Sequence, residues 1–403
     1  MSLVLNTNVD SMVAQNSLTS SGTQLASALQ QLSTGLRVNT AADDAAGYAI
    51  AQGMTSQVNG LNQAAQNAND GVSLTQTASG ALSEVTSDLQ TMRDLAVESL
   101  NATNSSNDRQ DLNSQFQQLM ADINNVAANT QFNGVNLLDG SFQGADFQIG
   151  ANAGQIISVA AVASASSSAV GNYYTTAAQT GAYVAPATAD VGKTEAFDIT
   201  VGTNAQVVTS AITLTGNQTT DLNNVASAIN QAVGASDGIV ATVDAAGTGI
   251  SLSTANGTAQ TVTIGTDASS TASAAVTQNS LGLDATYTLG QAAGTAQNLS
   301  NTSVTSVDNS NLVLISVDNA LQQLATSSAQ LGAYQNRFQA AITGLNTDST
   351  NLSNAKSQIV DTDYASATSS LSKAQILQQA GTAMVAQANT IPQNILTLLQ
   401  KLP

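Results

Sequence analysis

The chain has 403 residues, enough for roughly two to four domains, and carries a formal net charge of −18 from 26 acidic and 8 basic side chains. Only 8 % of its residues are charged and 3 % aromatic, and it has no Trp, Cys or His. These absences exclude a histidine general base, a thiolate nucleophile and the usual zinc ligand sets, and the acidity argues against nucleic acid as a partner.

No apolar run approaches the roughly 18 residues that a membrane helix needs, so no membrane insertion is expected. The opening MSLVLNTNVDSMVAQNS has neither a basic n-region nor a long apolar core, which predicts that no cleaved signal peptide is present. Export without such a leader, to an extracellular location, is the expectation.

In chain order, Leu18, Leu25, Leu29, Leu32 and Leu36 come first, at alternating heptad-like steps that predict a helix with one apolar seam. The stretch LSTGLRVNTAADDAAGYAIA follows, placing Arg37 ahead of the adjacent carboxylates Asp43 and Asp44. Paired acids near a cation suit catalysis, a metal site or a helix start. Catalysis or metal binding requires further ligands or a base, and only Asn39 and Tyr48 lie nearby. Thr40-Ala41-Ala42-Asp43 fits a capping box, with Asp44 in the first turn and Gly35 ending the helix before it. The pair is therefore expected to start a helix.

A 3-4 pattern then runs from Ile50 through Met54, Leu82 and Met92 to Ala96, a helix of about fifty residues, and a second helix is predicted near 106–128. At Asn133-Gly134 and Asp139-Gly140 the pattern turns, and two strands are expected within 146–161, joined at Ala151–Gly154. A Ser/Ala-rich boundary at 164–171 precedes a centre, 172–300, that alternates by twos around Phe197, Ile199 and Val201. Within it TTDLNNVASAINQAV is a helix to be capped by Thr220 or Asp221. From Leu314 the helical pattern returns, reaching Ile359. Past Tyr364 it continues through Leu371, Leu377, Met384, Ala388, Ile391, Ile395 and Leu398, with a kink expected at Pro392. The fold class is mostly α: antiparallel terminal helices and a long-helix rod, with an α+β or mostly β insert. Helices this long and this poor in charge must pack on one another or on other subunits.

LSTGLRVNTAADDAAGYAIA, GLNQAAQNANDGVSLTQTASGALSEV (60–85) and NTQFNGVNLLDG (129–140) resemble the N-terminal block of bacterial flagellin. LGAYQNRFQAAITGL (331–345) and the run from SLSKAQILQQAGTAMVAQAN to IPQNILTLLQ resemble its C-terminal block. The resemblance implies an inner tube from 1–40 and 360–403, a surrounding rod with a β-hairpin from 44–170 and 305–358, and a variable outer domain from 172–300. It implies a structural subunit, not an enzyme and without a cofactor, that polymerises with many copies of itself into the flagellar filament for motility. An export chaperone, a type III export route and a filament cap come with it as partners.

In the family, the segment around Arg37, Asp43 and Asp44 makes contacts between subunits, a role compatible with capping. The family's rod also holds the segment bound by the innate Toll-like receptor for flagellin, usually Q-R-x-R-E-L-A-V-Q. From Gln90, residues 90–98 here read QTMRDLAVE: Arg93, Leu95, Ala96 and Val97 match, Thr91 replaces an Arg, Glu98 replaces a Gln, and Gln115 stands where a Glu is common. Weakened receptor recognition is implied, while rod packing alone accounts for Met92 and Leu95. Two other readings fit helical ends with a β insert: a hook–filament junction protein, and a secreted coiled-coil adhesin or needle-tip-like binding module.

Overall fold

The computed structural model describes residues 7–175, 183–234, 238–243, 247, 249–254, 260–267, 281, 283–284, 286–289 and 295–399, with side chains past 390 outside that description. Among the described residues, six α-helices follow the apolar periodicity. They are α1 (Val9–Thr34), α2 (Ala45–Ser99), α3 (Ser106–Asn129), α4 (Gln218–Ile229), α5 (Val307–Val360) and α6 (Tyr364–Leu399). None of the described helices is long and apolar enough to cross a membrane. α6 continues through Pro392 to Leu399.

Local chemistry sets the helix ends. Asn8 caps α1 by accepting the Ser11 N–H at 3.0 Å, and Gly35 ends it in the left-handed region (φ 71°) with its N–H on the Gln31 carbonyl. Ser105 and Asp108 form a complete capping box on α3. The expected cap of α4 is displaced. Asn217 fills that position, taking the Thr220 N–H at 3.2 Å, because Asp221 is buried and already committed. Its carboxylate accepts from Thr215 N and Oγ1, from Gly216 N and from the Tyr183 hydroxyl. Burial and that last bond push the Tyr183 phenol well above its usual range.

The chain divides into two compact units. The first comprises Met1–Asn69, Gln148–Ile157 and Gln339–Pro403. Its main feature is an antiparallel pairing of α1 with α6. Asn8 Nδ2 donates to Ala388 O at 2.9 Å at one end, and Leu36 bridges Asp361 at the other.

The second unit comprises Asp70–Phe147 and Ser158–Phe338. Its helical part buries one face each of α2 (Leu82, Val85, Leu89, Met92), α3 (Leu112, Phe116, Ile123) and α5 (Val313, Val317, Leu324, Leu331). Polar staples fix their register: Ser99 Oγ donates to Val304 O at 2.7 Å, and Asn113 Oδ1 accepts the Val304 N–H at 3.0 Å. Asn133 (φ 50°) and Gly134 (φ 80°) turn the hairpin of β1 (Gln131–Phe132) and β2 (Val135–Asn136), both in the left-handed conformation that such a two-residue turn demands. β3 (Gly144–Gln148) and β4 (Ile156–Ala160) form a second two-stranded sheet.

Among its described residues the insert holds two four-stranded antiparallel sheets and a two-stranded one that pairs β6 (Thr194–Glu195) with β9 (Ile212–Thr213). One has the order β10 (Ile239–Val243), β11 (Ile250–Thr254), β5 (Tyr173–Thr175) and β14 (Thr295–Gln297). The other runs β13 (Thr286–Leu289), β12 (Gln260–Thr266), β7 (Phe197–Val201) and β8 (Val207–Val208). Phe197, Ile199 and Val201 alternate inward, as a period of two dictates. They join Leu222, Val225 and Ile229 of α4 in the insert's own core.

One close approach depends on a glycine. Phe338 is fully buried, edge-on to Phe147 with ring centroids 5.2 Å apart, and a Cβ at Gly71 would lie 2.6 Å from its ring. Gly71→Ala is expected to destabilise the chain by about 1–3 kcal/mol through this overlap, measured as a lower urea midpoint. An unchanged midpoint would show that the ring moves aside freely.

Candidate functional site

The segment joining α1 to α2 is clamped by the segment joining α5 to α6. Arg37 N donates to Val360 O at 2.7 Å, and Thr362 N donates to Gly35 O at 2.9 Å. Val38 is buried with Ala51 and Val360, and Leu36 and Ile359 pack at the edge of that cluster. The Arg37 guanidinium donates to the Ile359 carbonyl. Among the described residues it forms no ion pair with Asp43 or Asp44.

The two acids divide the work that one capping box was expected to do. Asp43 closes a turn: its Oδ2 accepts from Asn39 N at 3.0 Å, Thr40 N at 2.8 Å and Thr40 Oγ1 at 3.1 Å. The Thr40 hydroxyl thus donates to Asp43 and leaves the Asp43 amide alone; that amide bonds the Thr40 carbonyl at 3.1 Å. α2 begins at Ala45, so Asp44 is its N-cap and accepts the Gly47 N–H at 2.9 Å. A side chain on Gly47 would collide with that carboxylate. Backbone N–H donation from Thr40 and Asn39 holds the Asp43 carboxyl below its ordinary 3.8. Asp363, which sequence reading passed over, does the same for α6: its Oδ1 accepts the Ala365 N–H at 2.9 Å. An Asp just before an apolar helical run was the available signal.

In the α1–α6 pair, the expected leucine seam is only partly covered. Leu18, Leu25, Leu32, Leu36 and Leu371 are half-buried, whereas Leu29, Leu377 and Met384 are exposed by 50 %, 41 % and 63 %. The buried positions are small. Ala367, Ala374 and Ala388 on α6 lie seven or fourteen residues apart, with Gly381 completing the repeat; Ser11, Ser21 and Ala28 are buried on α1. A Cβ on Gly381 would lie 3.2 Å from Leu18 Cδ1, so the leucine occupies the space that the glycine leaves. A small residue every seventh position is legible in the sequence; its meaning depends on which helix faces it. The side chains of Ile391, Ile395 and Leu398 lie outside the described residues.

Between the helices lies a groove of about 590 Å³ lined by Val13, Ala14, Leu377, Gly381 and Met384, with Asp10 and Gln387 among its polar edges. Exposed Val9, Met12 and Ile376 extend the apolar surface. Among the described residues no group of acids is placed to hold a metal ion.

The 90–98 segment belongs to the second unit. Leu95 and Met92 face its interior, and Gln90, Val97 and Glu98 face solvent. Arg93 Nε contacts Asp318 Oδ1 on α5 at 2.8 Å.

Residues 5–143 match the model of the bacterial flagellin N-terminal helical region, and 314–399 that of the C-terminal helical region. The B-type flagellin of Pseudomonas aeruginosa is 34 % identical, aligned over 99 % of this chain and all of the relative. Flagellin B of Vibrio cholerae serotype O1 is 36 % identical with the same coverage, and a flagellin of Salmonella choleraesuis is 33 % identical, again over 99 % and 100 %.

Asp43→Asn is expected to lower stability at neutral pH. A depressed folded pKa contributes stability that is present above the unfolded value and lost as pH falls through the folded one. The gap in urea midpoint between the variant and the parent should therefore close once the pH is taken below the lowered folded value. A gap that persists at that pH would show that the turn does not rely on the charge.

Proposed function

Because this chain belongs to the bacterial flagellins, the structural subunits that polymerise into the helical filament of swimming bacteria, we propose that its polymerisation runs through the apolar surface left open on α1 and α6. One observation carries this reading. Val13, Leu29, Ile376 and Met384 are each at least half exposed on helices whose only charges are Asp10 and Lys373. Apolar surface of this kind marks a face destined for burial against a partner. Near-absence of charge suits an interface repeated at every subunit, where any like charge would meet its own copy. The filament is extracellular, as the family implies. Relatives that match along the whole chain are flagellins, which favours the filament subunit over a junction protein or an adhesin.

The same apolar face of α6 would need cover before assembly, which fits an export chaperone on the C-terminal segment. The inner-tube and rod assignment of 1–40 with 360–403 and of 44–170 with 305–358 follows the family, and a filament cap as the site of folding belongs to the same reading. Recognition by the Toll-like receptor for flagellin is proposed to be weak: Thr91 and Glu98 stand where the family places Arg and Gln, and Asp318 already engages Arg93. Nanomolar activation in a receptor-reporter cell line would contradict this; a response shifted at least about tenfold from that of a strongly stimulatory flagellin is expected.

For assembly, Met384→Glu should leave the helical circular-dichroism signal unchanged and abolish or strongly delay filaments in electron micrographs of seeded protein. Normal filaments from that variant would remove α6 from the proposed surface.

A further inference from the structure

A second cleft lies within the second unit and is polar where the first is apolar. Its volume is about 590 Å³, inside the roughly 300–1,000 Å³ span of small-molecule sites. Asn223, Ser227 and Asn230 line it from α4, at steps of four and three that place them on one face, distinct from the buried stripe of Leu222, Val225 and Ile229. Asp308 and Asn311, one turn apart, line it from the start of α5, and Arg109 lines it from the start of α3.

Some of these groups hold the cleft in shape, and others are open to a ligand. Asn230 is fully used: its Nδ2 donates to Ala241 O at 2.9 Å and its Oδ1 accepts the Ala241 N–H at 2.6 Å. Arg109 donates through Nε to Ser99 O at 2.9 Å and through Nη2 to Asn101 O at 3.3 Å. Asp308 is half-buried, and its Oδ2 accepts the Val243 N–H at 3.5 Å. Burial raises its carboxyl above the ordinary 3.8. Among the described residues Asp308 Oδ1 has no partner, and the side-chain amides of Asn223 and Asn311 bond no protein group. Neither Asp308 nor Arg109 forms an ion pair there.

The chemistry of this lining selects the ligand by elimination. Among the described lining residues Val307 alone is apolar, so an apolar molecule would gain little on entry. One cation and one anion leave the lining without net charge, so a multiply charged phosphate or nucleotide meets no matching field. What stays open is a carboxylate oxygen, a guanidinium nitrogen and two planar amides that both donate and accept. A sugar ring presents the complement, adjacent hydroxyls that each donate and accept.

We propose that this cleft binds a short neutral saccharide, whose adjacent hydroxyls are held by Asp308 and by the amides of Asn223 and Asn311, with Arg109 donating to a further oxygen. Such a site lies apart from the terminal helices and does not depend on the filament reading. No aromatic side chain is among the described lining residues. Without a ring to stack on, the affinity expected is modest, with a Kd on the order of 1 mM.

The test titrates the full-length, unpolymerised protein with neutral hexoses and N-acetylhexosamines, each also as its methyl glycoside. Glycine, glutamate and inorganic phosphate are run alongside. Binding is read by saturation-transfer NMR and calorimetry. At least one sugar is expected to bind, and its deoxy analogues should include one that binds at least about tenfold more weakly, because a lost hydroxyl leaves its protein partners unpaired. Methyl glycosides that bind as well would identify the end of a glycan chain as a source; sugars that bind only with that position unblocked would restrict the source to free saccharide. Asn223→Ala and Asn311→Ala remove amides that bond no other protein group, so the thermal melt should hold while the double variant binds at least about tenfold more weakly. No sugar bound at about 20 mM overturns the proposal. So does a double variant that binds like the parent, and so does binding of glycine, glutamate or phosphate in place of sugars, which would show that the cleft reads charge.

Discussion

The close approach of α1 to α6 rests on removing side chains from the contact. Ala367, Ala374, Gly381 and Ala388 recur at every seventh position, so a stripe of almost bare backbone faces α1. Leu18 fills the hollow at Gly381. In a two-helix pair built on large knobs, the leucines of both helices would be spent on each other. Here the small stripe satisfies the intrachain contact, and Leu29, Ile376, Leu377 and Met384 remain turned outward. The apolar surface left exposed on α1 and α6 is thus a consequence of how little the pair uses to hold itself together.

The joint at the end of that pair works in the same economical way. Two connecting segments run side by side and exchange backbone hydrogen bonds between Gly35, Arg37, Val360 and Thr362. Each helix that leaves the joint is capped by an aspartate, Asp44 for α2 and Asp363 for α6. Asp43 adds a turn whose three donors all come from Asn39 and Thr40. The three acids are therefore occupied by local backbone chemistry, and none is set up as a catalytic or metal-binding pair. Arg37 contributes through carbonyl contact on the neighbouring segment, leaving its charge exposed.

The insert stands on different physics. Its strands bury Phe197, Ile199, Ile250, Leu252, Val262 and Ile264 against α4 in a core whose described members all come from the insert. A core of this kind lets the insert change its sequence while keeping its own packing.

Sequence by itself determined the elements. The 3-4 steps from Ile50 to Ala96 produced α2, the alternation at Phe197, Ile199 and Val201 produced β7, and Asn133-Gly134 produced the β1–β2 turn, because each rests on a local period or a local φ preference. Flagellin-like words at both ends fixed the family for the same reason: they are contiguous strings. Tertiary structure alone decided which residue does which job. Asp44 caps α2 and Asn217 caps α4 because backbone geometry selects among neighbouring acceptors, and Asp221 was withdrawn by four donors, including the distant Tyr183. It likewise decided that alanines are the most deeply covered positions of α6, with Leu18, Leu25, Leu32 and Leu371 half-buried around them. Apolar periodicity says that a helix has a face to hide, but only the partner helix, placed hundreds of residues away in the chain, determines how much of that face is hidden.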